Sequence, residues 1–238
     1  MTAPWEDARV IAGLTRQLAL RNQILDGGAS AVGWKVGFGA PAALELMQIT
    51  APLLGFLTDA TVYESGATVD AAGWGQPLIE FEVAVYLGSD LGPGAGDEEA
   101  RAAISAVGAA IELADVDLPI GPEHVDEIVA GGIFHTGVVF GEPDRNRVGL
   151  DISGLNARIL IDGIERVSTS DLQAITGSYS RIVADVASTL AAMGETLRAG
   201  DAIITGSVIP PVPLHEGTEF VFALEPLAPI SIRVAQEG

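Results

Sequence analysis

The segment Pro77–Leu87 limits the possible folds most strongly, because two glutamates interrupt an otherwise apolar β-strand pattern. Successive side chains of a strand point to opposite faces, so Glu80 and Glu82 share one face and the bulkier apolar side chains take the other. Two carboxylates held side by side repel each other, keep a proton to higher pH, or bind a cation. A half-exposed strand face remains the simpler interpretation of this spacing alone.

A third glutamate lies in a second apolar segment. Glu112 interrupts Ala109–Ala114, which is predicted to be a strand. Buried glutamates are rare unless they are paired or bound to a metal. Three carboxylates on two strands suit Mg²⁺ or Mn²⁺, because these ions prefer oxygen ligands. Such a site would leave positions for water and for a 2-oxo acid, which chelates through its keto and carboxylate oxygens.

Charge and composition exclude several other kinds of site. The 238 residues contain 12 Lys and Arg against 32 Asp and Glu, for a net charge of −20. A nucleic-acid backbone is bound by clustered cations, so we expect no nucleic-acid partner. The chain has no cysteine, and His124, His135 and His215 lie too far apart for a familiar zinc spacing. Any metal is therefore expected to be bound by oxygen.

The apolar segments and the N-terminal sequence predict where the protein resides. No apolar run approaches the roughly 20 residues that are needed to span a bilayer, so we expect no membrane partner. Residues 1–7 lack the cations and the apolar stretch that are typical of a secretory signal. We therefore expect a soluble, cytoplasmic protein.

Hydrophobic periodicity predicts several helices and many strands, with no internal repeat. The predicted helices are Pro4–Leu25, Pro41–Ile49, Asp97–Val107, Gly121–Val129 and Tyr179–Met193. Besides the two segments described above, the predicted strands and hairpin arms are Ala31–Gly39, Pro52–Ala60, Tyr63–Val69, the glycine-rich Gly131–Gly141 with His135, Leu155–Ile161, Ile164–Val167, Asp201–Thr205, Glu219–Leu224 and Ile230–Val234.

Two further charged residues can be interpreted in two ways. Lys35 lies between Trp34 and Val36 in an apolar strand, where a lysine usually extends its amine to water. The alternative is a partly desolvated ammonium that binds a substrate carboxylate or transfers a proton. Asp59 follows an apolar segment and is typical of a residue that opens a turn.

Other catalytic signatures are missing from the sequence. It contains neither the Gly-x-Ser-x-Gly elbow of an α/β-hydrolase nor a Walker A motif. Paired acids of a glycosidase stand on facing walls of a cleft, whereas adjacent glutamates on one strand face suit a metal better.

Five stretches, in this order, resemble the fumarylacetoacetate hydrolase superfamily. They cover most of the chain, and within the superfamily they are most similar to the branch of 2-oxopent-4-enoate hydratases and 4-oxalocrotonate decarboxylases. The stretches are Gly33–Gly37, Gly55–Asp59, Ile79–Ala84, Ala110–Asp115 and Ala199–Ser207.

This resemblance implies an α+β, mostly β fold with a mixed sheet and a helical N-terminal segment. We also expect the chain to consist of an N-terminal helical and strand segment, 1–75, and a catalytic mixed-β domain, 76–238, packed as one compact unit. The resemblance also implies a homo-oligomer, with possible association between pathway enzymes. The implied site residues are the metal ligands Glu80, Glu82 and Glu112, the acid/base pair Lys35 and Asp59, and the substrate contact Ser207.

Two departures from the branch pattern bear on the substrate. Asp117 stands where the branch usually has an arginine, and Gly132–Phe134 stands where it often has Asn-Ala-Ser. If those residues orient an anionic substrate in the relatives, this chain is expected to prefer a different or less charged one.

The resemblance leaves three functions open. The leading hypothesis is a metal-dependent hydratase that acts on a small 2-hydroxydienoate or 2-oxo-enoate, such as 2-oxopent-4-enoate, in aromatic catabolism, with a 4-oxalocrotonate-type decarboxylase as the runner-up. The second is a carbon–carbon hydrolase in which His135, the histidine nearest the predicted pocket, contacts substrate and activates water; an ordinary loop histidine is the alternative. The third is a non-catalytic partner subunit that has kept the fold.

Overall fold

The computed structural model describes residues 3–236, which form five α-helices and two β-sheets. The helices are α1 (Ala8–Asp26), α2 (Pro41–Met47), α3 (Asp97–Ala103), α4 (Val125–Ala130) and α5 (Tyr179–Ala192). The strands are β1 (Ala31–Gly37), β2 (Leu53–Thr58), β3 (Val62–Tyr63), β4 (Ala67–Val69), β5 (Pro77–Leu87), β6 (Ile104–Asp115), β7 (His135–Phe140), β8 (Asn156–Ile161), β9 (Ile164–Thr169), β10 (Ala202–Ser207), β11 (Val212–Pro213), β12 (Glu219–Glu225) and β13 (Ile230–Val234).

The larger sheet has the strand order β2-β1-β10-β5-β6-β7-β3, and β11 also pairs with β5. Its β1/β10 and β3/β7 pairs are parallel, whereas its other pairs are antiparallel. The smaller sheet has the order β4-β13-β12-β8-β9. The mixed, mostly β architecture predicted from the resemblance is confirmed. Strands β1, β2 and β3 belong to the larger sheet and β4 to the smaller one, so the described part of the N-terminal segment, residues 3–75, shares both sheets with the rest of the chain.

The two faces of β5 pack into two different clusters of buried apolar residues. On one face, Phe81 packs against Phe220 and Phe222 of β12, with ring centroids 6.5 and 5.6 Å apart, so this face forms the core between the sheets. The opposite face carries the glutamates and lies over a smaller apolar cluster that includes Ala84 of β5 and Ala110 of β6.

Helix α1 covers the edge of the larger sheet beside α4. Asp7 caps its N-terminus by accepting a hydrogen bond from the backbone N–H of Arg9, and Leu14 and Leu18 are buried on its inner face. Gly13 allows the two helices to approach, since a Cβ there would lie 2.6 Å from the Cβ of Val129. The predicted N-terminal helix is thus present. None of the helices in residues 3–236 is long and apolar enough to cross a membrane.

The predicted helix Asp97–Val107 is too long. Helix α3 ends at Ala103, and the chain enters β6 at Ile104, five residues before the predicted start of this strand. Ile104 and Val107 pair with Leu87 and Val85 of β5, so sheet pairing of these β-branched residues overrides the helical preference of the alanines before them.

Candidate metal and substrate site

The three predicted metal ligands converge at the centre of the larger sheet. The antiparallel register of β5 and β6 sets Glu80 directly opposite Glu112, and Glu82 follows on the same face. One carboxylate oxygen of each residue lies within 4.8 Å of one from each of the others. Glu82 and Glu112 are fully buried, whereas Glu80 is half-buried. The cluster therefore brings three acids together where water cannot solvate all of them.

Each buried glutamate keeps one oxygen free. Glu82 Oε2 accepts a hydrogen bond of 2.5 Å from the backbone N–H of Gly206, and Glu112 Oε1 lies 2.6 Å from Lys35 Nζ. The other oxygens, Glu82 Oε1 and Glu112 Oε2, are buried and have no hydrogen-bond partner among the described residues. Buried carboxylate oxygens are normally satisfied. This pair of unsatisfied oxygens in a cluster of three acids fits a hard divalent cation.

The pKa values of the three acids diverge. Burial, reinforced by the charges of Glu112 and Glu80, raises the pKa of Glu82 well above its usual range. Burial and the charge of Glu112 raise the pKa of Glu80 to about 7. Burial also acts to raise the pKa of Glu112, but the Lys35 ammonium and the His135 hydrogen bond outweigh it and lower the value to about 2. Without a cation, the cluster therefore resists holding three negative charges.

Lys35 lies at the floor of the site and does not extend to water. It projects from β1, only 2% exposed, and Nζ donates to Glu112 Oε1 and, at 3.0 Å, to the carbonyl of Ile133. Its neighbour across the sheet is Gly55 of β2, where a Cβ would lie 2.8 Å from Lys35 Cγ. Gly55 thus leaves the room that the lysine stem needs to reach inward.

A strained turn supplies the second acceptor for Lys35. Gly132, Ile133 and Phe134 have φ angles of 78°, 57° and 63°, a left-handed region that is unfavourable for a β-branched residue such as isoleucine. The turn is held because Ile133 N donates to Ile128 O and Phe134 O accepts from Asp115 N. Strain of about 1–3 kcal/mol per residue persists where the surroundings fix the backbone, and such positions cluster at functional sites.

His135 stands behind Glu112 and not at the wall of the cavity. Its Nδ1 lies 2.8 Å from Glu112 Oε1, and its Nε2 lies 3.1 Å from Thr61 Oγ1. An ionised carboxylate only accepts hydrogen bonds, so Nδ1 carries the proton in this arrangement. Both ring nitrogens are therefore engaged, and His135 orients Glu112 as a supporting residue.

The structure does not bring Asp59 into this group. Asp59 is exposed in a 3₁₀ turn after β2, where its Oδ1 accepts from Ser30 N and its own N–H donates to Ser30 O. It lies four residues beyond Gly55, the cross-strand neighbour of Lys35, which corresponds to about 13 Å along a strand. Its surroundings are those of a turn residue.

Ser207 lies beside Glu82 but already has partners. It faces Glu82 across the β10/β5 pair, next to an irregularity in register. Its Oγ accepts from Phe81 N at 3.1 Å and donates to Phe81 O at 3.3 Å, while the residue also borders the cavity. The hydroxyl therefore satisfies the backbone N–H and carbonyl of Phe81 at the irregularity in the β10/β5 pair.

A cavity of about 460 Å³ opens from the acid cluster. Lys35 and Glu80 border it at one end, and the threonines Thr176 and Thr205 and the serine described above supply its other polar side chains. The remaining side chains along its described wall are apolar. This volume is within the range of pockets that bind small molecules.

Sequence reasoning misses several supporting groups. The backbone N–H of Gly206 and the carbonyl of Ile133 have no side-chain signature, so their roles depend on the folded backbone. The sequence does draw attention to Lys35, because it is the chain's only lysine. His135 stands out in the sequence, but its contact with Glu112 depends on the pairing of β6 with β7.

Comparison with known proteins identifies the family of the chain. The family model described as fumarylacetoacetate (FAA) hydrolase C-terminal matches residues 35–235, which include all three glutamates, Lys35 and His135. The chain belongs to the fumarylacetoacetate hydrolase family. The predicted resemblance to this family is confirmed.

Among family members, the chain is similar to hydratases and decarboxylases. It is 30% identical to a 2-hydroxyhexa-2,4-dienoate hydratase of Comamonas testosteroni over 88% of this chain and 80% of that protein. It is 29% identical to a 4-oxalocrotonate decarboxylase of a Pseudomonas species, over 90% and 82% of the two chains. A solved 4-oxalocrotonate decarboxylase from Pseudomonas putida G7, complexed with magnesium and adipate, has a TM-score of 0.81 at 27% identity and covers 92% of this chain and 83% of its own.

Proposed function

We propose that the protein is a metal-dependent lyase that adds water to a 2-hydroxydienoate or 2-oxo-enoate. The observation that carries the proposal is the pair of unsatisfied oxygens of Glu82 and Glu112, buried in one cluster with Glu80 and Lys35, which border the cavity. Similarity to hydratases and decarboxylases supports lyase chemistry.

Glu80, Glu82 and Glu112 would hold the metal, which we propose to be Mg²⁺ or Mn²⁺. When bound, it would act as a Lewis acid that stabilises negative charge developing on the 2-oxo acid. The hydrogen bonds from Gly206 and Lys35 fix the remaining oxygens of Glu82 and Glu112, so both carboxylates are oriented before a ligand arrives.

We assign proton transfer to Lys35. Conversion of a 2-hydroxydienoate to the 2-oxo-enoate moves a proton from the hydroxyl to carbon, and hydration then places a hydroxyl at C4 and a proton at C3. Lys35 borders the cavity, and its ammonium is held by Glu112 Oε1 and Ile133 O. A positioned acid or base of this kind contributes about 10²–10⁴-fold to rate. Asp59 is not assigned this role, because it is exposed and bonded to Ser30.

The second candidate is decarboxylation of a 4-oxalocrotonate-type acid. Its support is the structural similarity to the Pseudomonas putida decarboxylase. The cavity wall favours hydration, since a dicarboxylate needs a second anion-binding group and Lys35 is the only Lys, Arg or His at the described wall.

A carbon–carbon hydrolase and a non-catalytic subunit have less support. The hydrolase would use His135 to activate water, but both of its ring nitrogens are engaged and it does not border the described cavity. A non-catalytic subunit would not need to keep three glutamates and a buried lysine together. A homo-oligomer, association with a pathway partner enzyme, and a cytoplasmic location remain predictions.

The test is a pair of assays with purified protein and Mg²⁺. Incubation with 2-hydroxypenta-2,4-dienoate should bleach the dienoate absorbance and yield a 4-hydroxy-2-oxo acid. Incubation with 4-oxalocrotonate should release little carbon dioxide. Rapid release of carbon dioxide with an unchanged dienoate would establish the decarboxylase instead.

A further inference from the structure

The wall of the cavity combines two charged side chains with a large apolar surface. Lys35 and Glu80 are the charged residues of the described wall. Large apolar side chains from several parts of the chain form most of the rest, among them Phe38, Ile175 and Ile209. The site therefore offers a ligand one charged region and an extensive apolar surface.

Two of the three hydroxyls in this wall, those of Thr205 and Ser207, are committed to the backbone, whereas Thr176 Oγ1 has no hydrogen-bond partner among the described residues. Thr205 Oγ1 donates to Val83 O at 2.9 Å, and Ser207 Oγ exchanges hydrogen bonds with the backbone of Phe81. Lys35, the only Lys, Arg or His of the described wall, is bonded to Glu112 and Ile133. A second carboxylate would lose its hydration, and the described wall offers it the Thr176 hydroxyl but no second cation, which is strongly unfavourable for a charged group.

The cavity is also larger than a five-carbon acid requires. Its volume is about 460 Å³. An engineered apolar cavity of about 150 Å³ already binds benzene, a ring of six carbons. A substrate with a further hydrocarbon group would fill this space and remove more apolar surface from water.

The apolar surface continues to the opening of the cavity. Leu46 of α2 is 56% exposed and Ile120, in the segment before α4, is 42% exposed, yet both border the cavity. Isolated exposed apolar residues are ordinary, but these two also border the cavity, so its apolar wall extends to the protein surface. Pro210 and Pro211 form another part of this wall with fixed φ angles.

From these observations, and resting on the proposed function, we infer that the site selects 2-oxo or 2-hydroxydienoic acids with a single carboxylate and an apolar tail. The tail would be a propyl group or larger at the end of the diene, lying against Phe38, Ile175 and Ile209 and reaching toward Leu46 and Ile120.

The test compares three substrates with the Mg²⁺-loaded protein. They are 2-hydroxypenta-2,4-dienoate, its analogue with a propyl group at C5, and 2-hydroxyhexa-2,4-dienedioate. Each buried methylene is expected to raise kcat/KM about fourfold, so the propyl analogue should exceed the five-carbon acid on the order of 50-fold. The dicarboxylate should be at least about tenfold poorer. Equal values for the first two substrates, or preference for the dicarboxylate, would overturn the inference.

A second test introduces a charged side chain at the opening of the cavity and compares it with the same substitution elsewhere on the surface. Ile120→Arg should reduce the ratio of kcat/KM between the propyl analogue and the five-carbon acid, and should improve the dicarboxylate. Val148→Arg serves as control, because Val148 is 62% exposed and does not border the cavity. The control should keep the wild-type ratios. An unchanged ratio in Ile120→Arg would count against the apolar tail site.

Binding of saturated acids separates this inference from the proposed reaction. Calorimetry with Mg²⁺-loaded protein should give tighter binding of 2-oxooctanoate than of 2-oxobutanoate. If this holds while no dienoate is hydrated, the tail site stands and the proposed reaction fails. If the five-carbon dienoate is hydrated but the two saturated acids bind equally, the reaction stands and the tail site is refuted.

Discussion

At the scale of single residues, the free oxygen of Glu82 determines whether the cluster binds a metal. Glu82→Gln keeps the shape of the side chain but removes a negative charge from the fully buried ligand. We expect Mg²⁺ affinity and turnover to fall by more than about 100-fold, which is the upper range for changes to residues that only support a ligand. Isothermal titration with Mg²⁺ measures the first loss directly.

The matched control for this substitution is Glu225→Gln. Glu225 is a half-buried glutamate near the surface that pairs with Arg158 at 2.6 Å, and surface pairs contribute about 0–1 kcal/mol. It should bind Mg²⁺ as the wild type does. Full Mg²⁺ affinity in Glu82→Gln would contradict the proposed metal site.

His135 is expected to act through Glu112. His135→Ala removes the hydrogen bond to Glu112 Oε1, so the pKa of Glu112 should rise and Mg²⁺ affinity should fall about 10–100-fold. Saturating Mg²⁺ should restore most of kcat. A His135 that served as a water-activating base would instead lose kcat and keep its Mg²⁺ affinity, so titration and kinetics together decide. His124→Ala, which alters a histidine bonded to Glu127 at the surface, should change neither quantity.

At the scale of secondary-structure elements, the pairing of β1 with β2 positions Lys35, because the lysine lies opposite Gly55. Gly55→Ala would put a Cβ 2.8 Å from Lys35 Cγ, and overpacking of this kind typically costs about 1–3 kcal/mol. Displacement of Lys35 should lower kcat more than it lowers Mg²⁺ affinity. Steady-state kinetics and denaturant unfolding measure the two effects.

Gly92→Ala is the control for this change. A Cβ at Gly92 would meet nothing within 4 Å, so the free energy of unfolding and kcat should stay near the wild-type values. Wild-type kcat in Gly55→Ala would show that the position of Lys35 does not matter for turnover.

The elements also show what the sequence can and cannot predict. Strand β5 is predicted correctly because its apolar run is long and bounded by turn residues. Helix α3 is predicted too long, because alanines continue into Ile104–Val107, and only pairing with β5 makes that stretch a strand. The secondary-structure propensity of a short segment does not reveal which distant strand it will pair with.

The candidate site is predictable to a similar extent. The strand pattern and the family resemblance identify Glu80, Glu82 and Glu112, and the structure brings them together. Their alignment depends on the β5/β6 register, which the intervening loop and helix determine and the sequence does not state. The apolar wall of the cavity comes from elements far apart in the chain, so it becomes visible only in the folded protein.

At the scale of the whole molecule, the pKa of Glu80 couples metal binding to pH. In the folded protein without metal this pKa is raised from 4.5 to about 7, so between these values the folded state holds a proton that the unfolded chain has released. This contribution to stability is therefore lost as pH rises through that window. Metal ligands must be deprotonated, so Mg²⁺ has to displace this proton below pH 7.

We accordingly expect Mg²⁺ to raise the Tm more at pH 8 than at pH 5.5. Displacing the Glu80 proton alone should weaken Mg²⁺ binding about tenfold for each pH unit below 7, and displacing the proton of Glu82, whose pKa is also raised, adds to this dependence. Thermal unfolding with and without Mg²⁺ at the two pH values measures this, and Glu82→Gln should show no shift at either. An equal Mg²⁺ shift at both pH values would contradict the raised pKa.

The central claim is that the free oxygens of Glu82 and Glu112, together with Glu80, bind a divalent cation that a 2-oxo acid can reach. The most direct measurement is anomalous diffraction from crystals grown with Mn²⁺ and oxalate. We expect one strong peak among these three carboxylates, with Mn–oxygen distances of about 2.0–2.2 Å and oxalate on the cavity side. A peak elsewhere, or a cluster in which Lys35 and water satisfy all three acids without a metal, would contradict it.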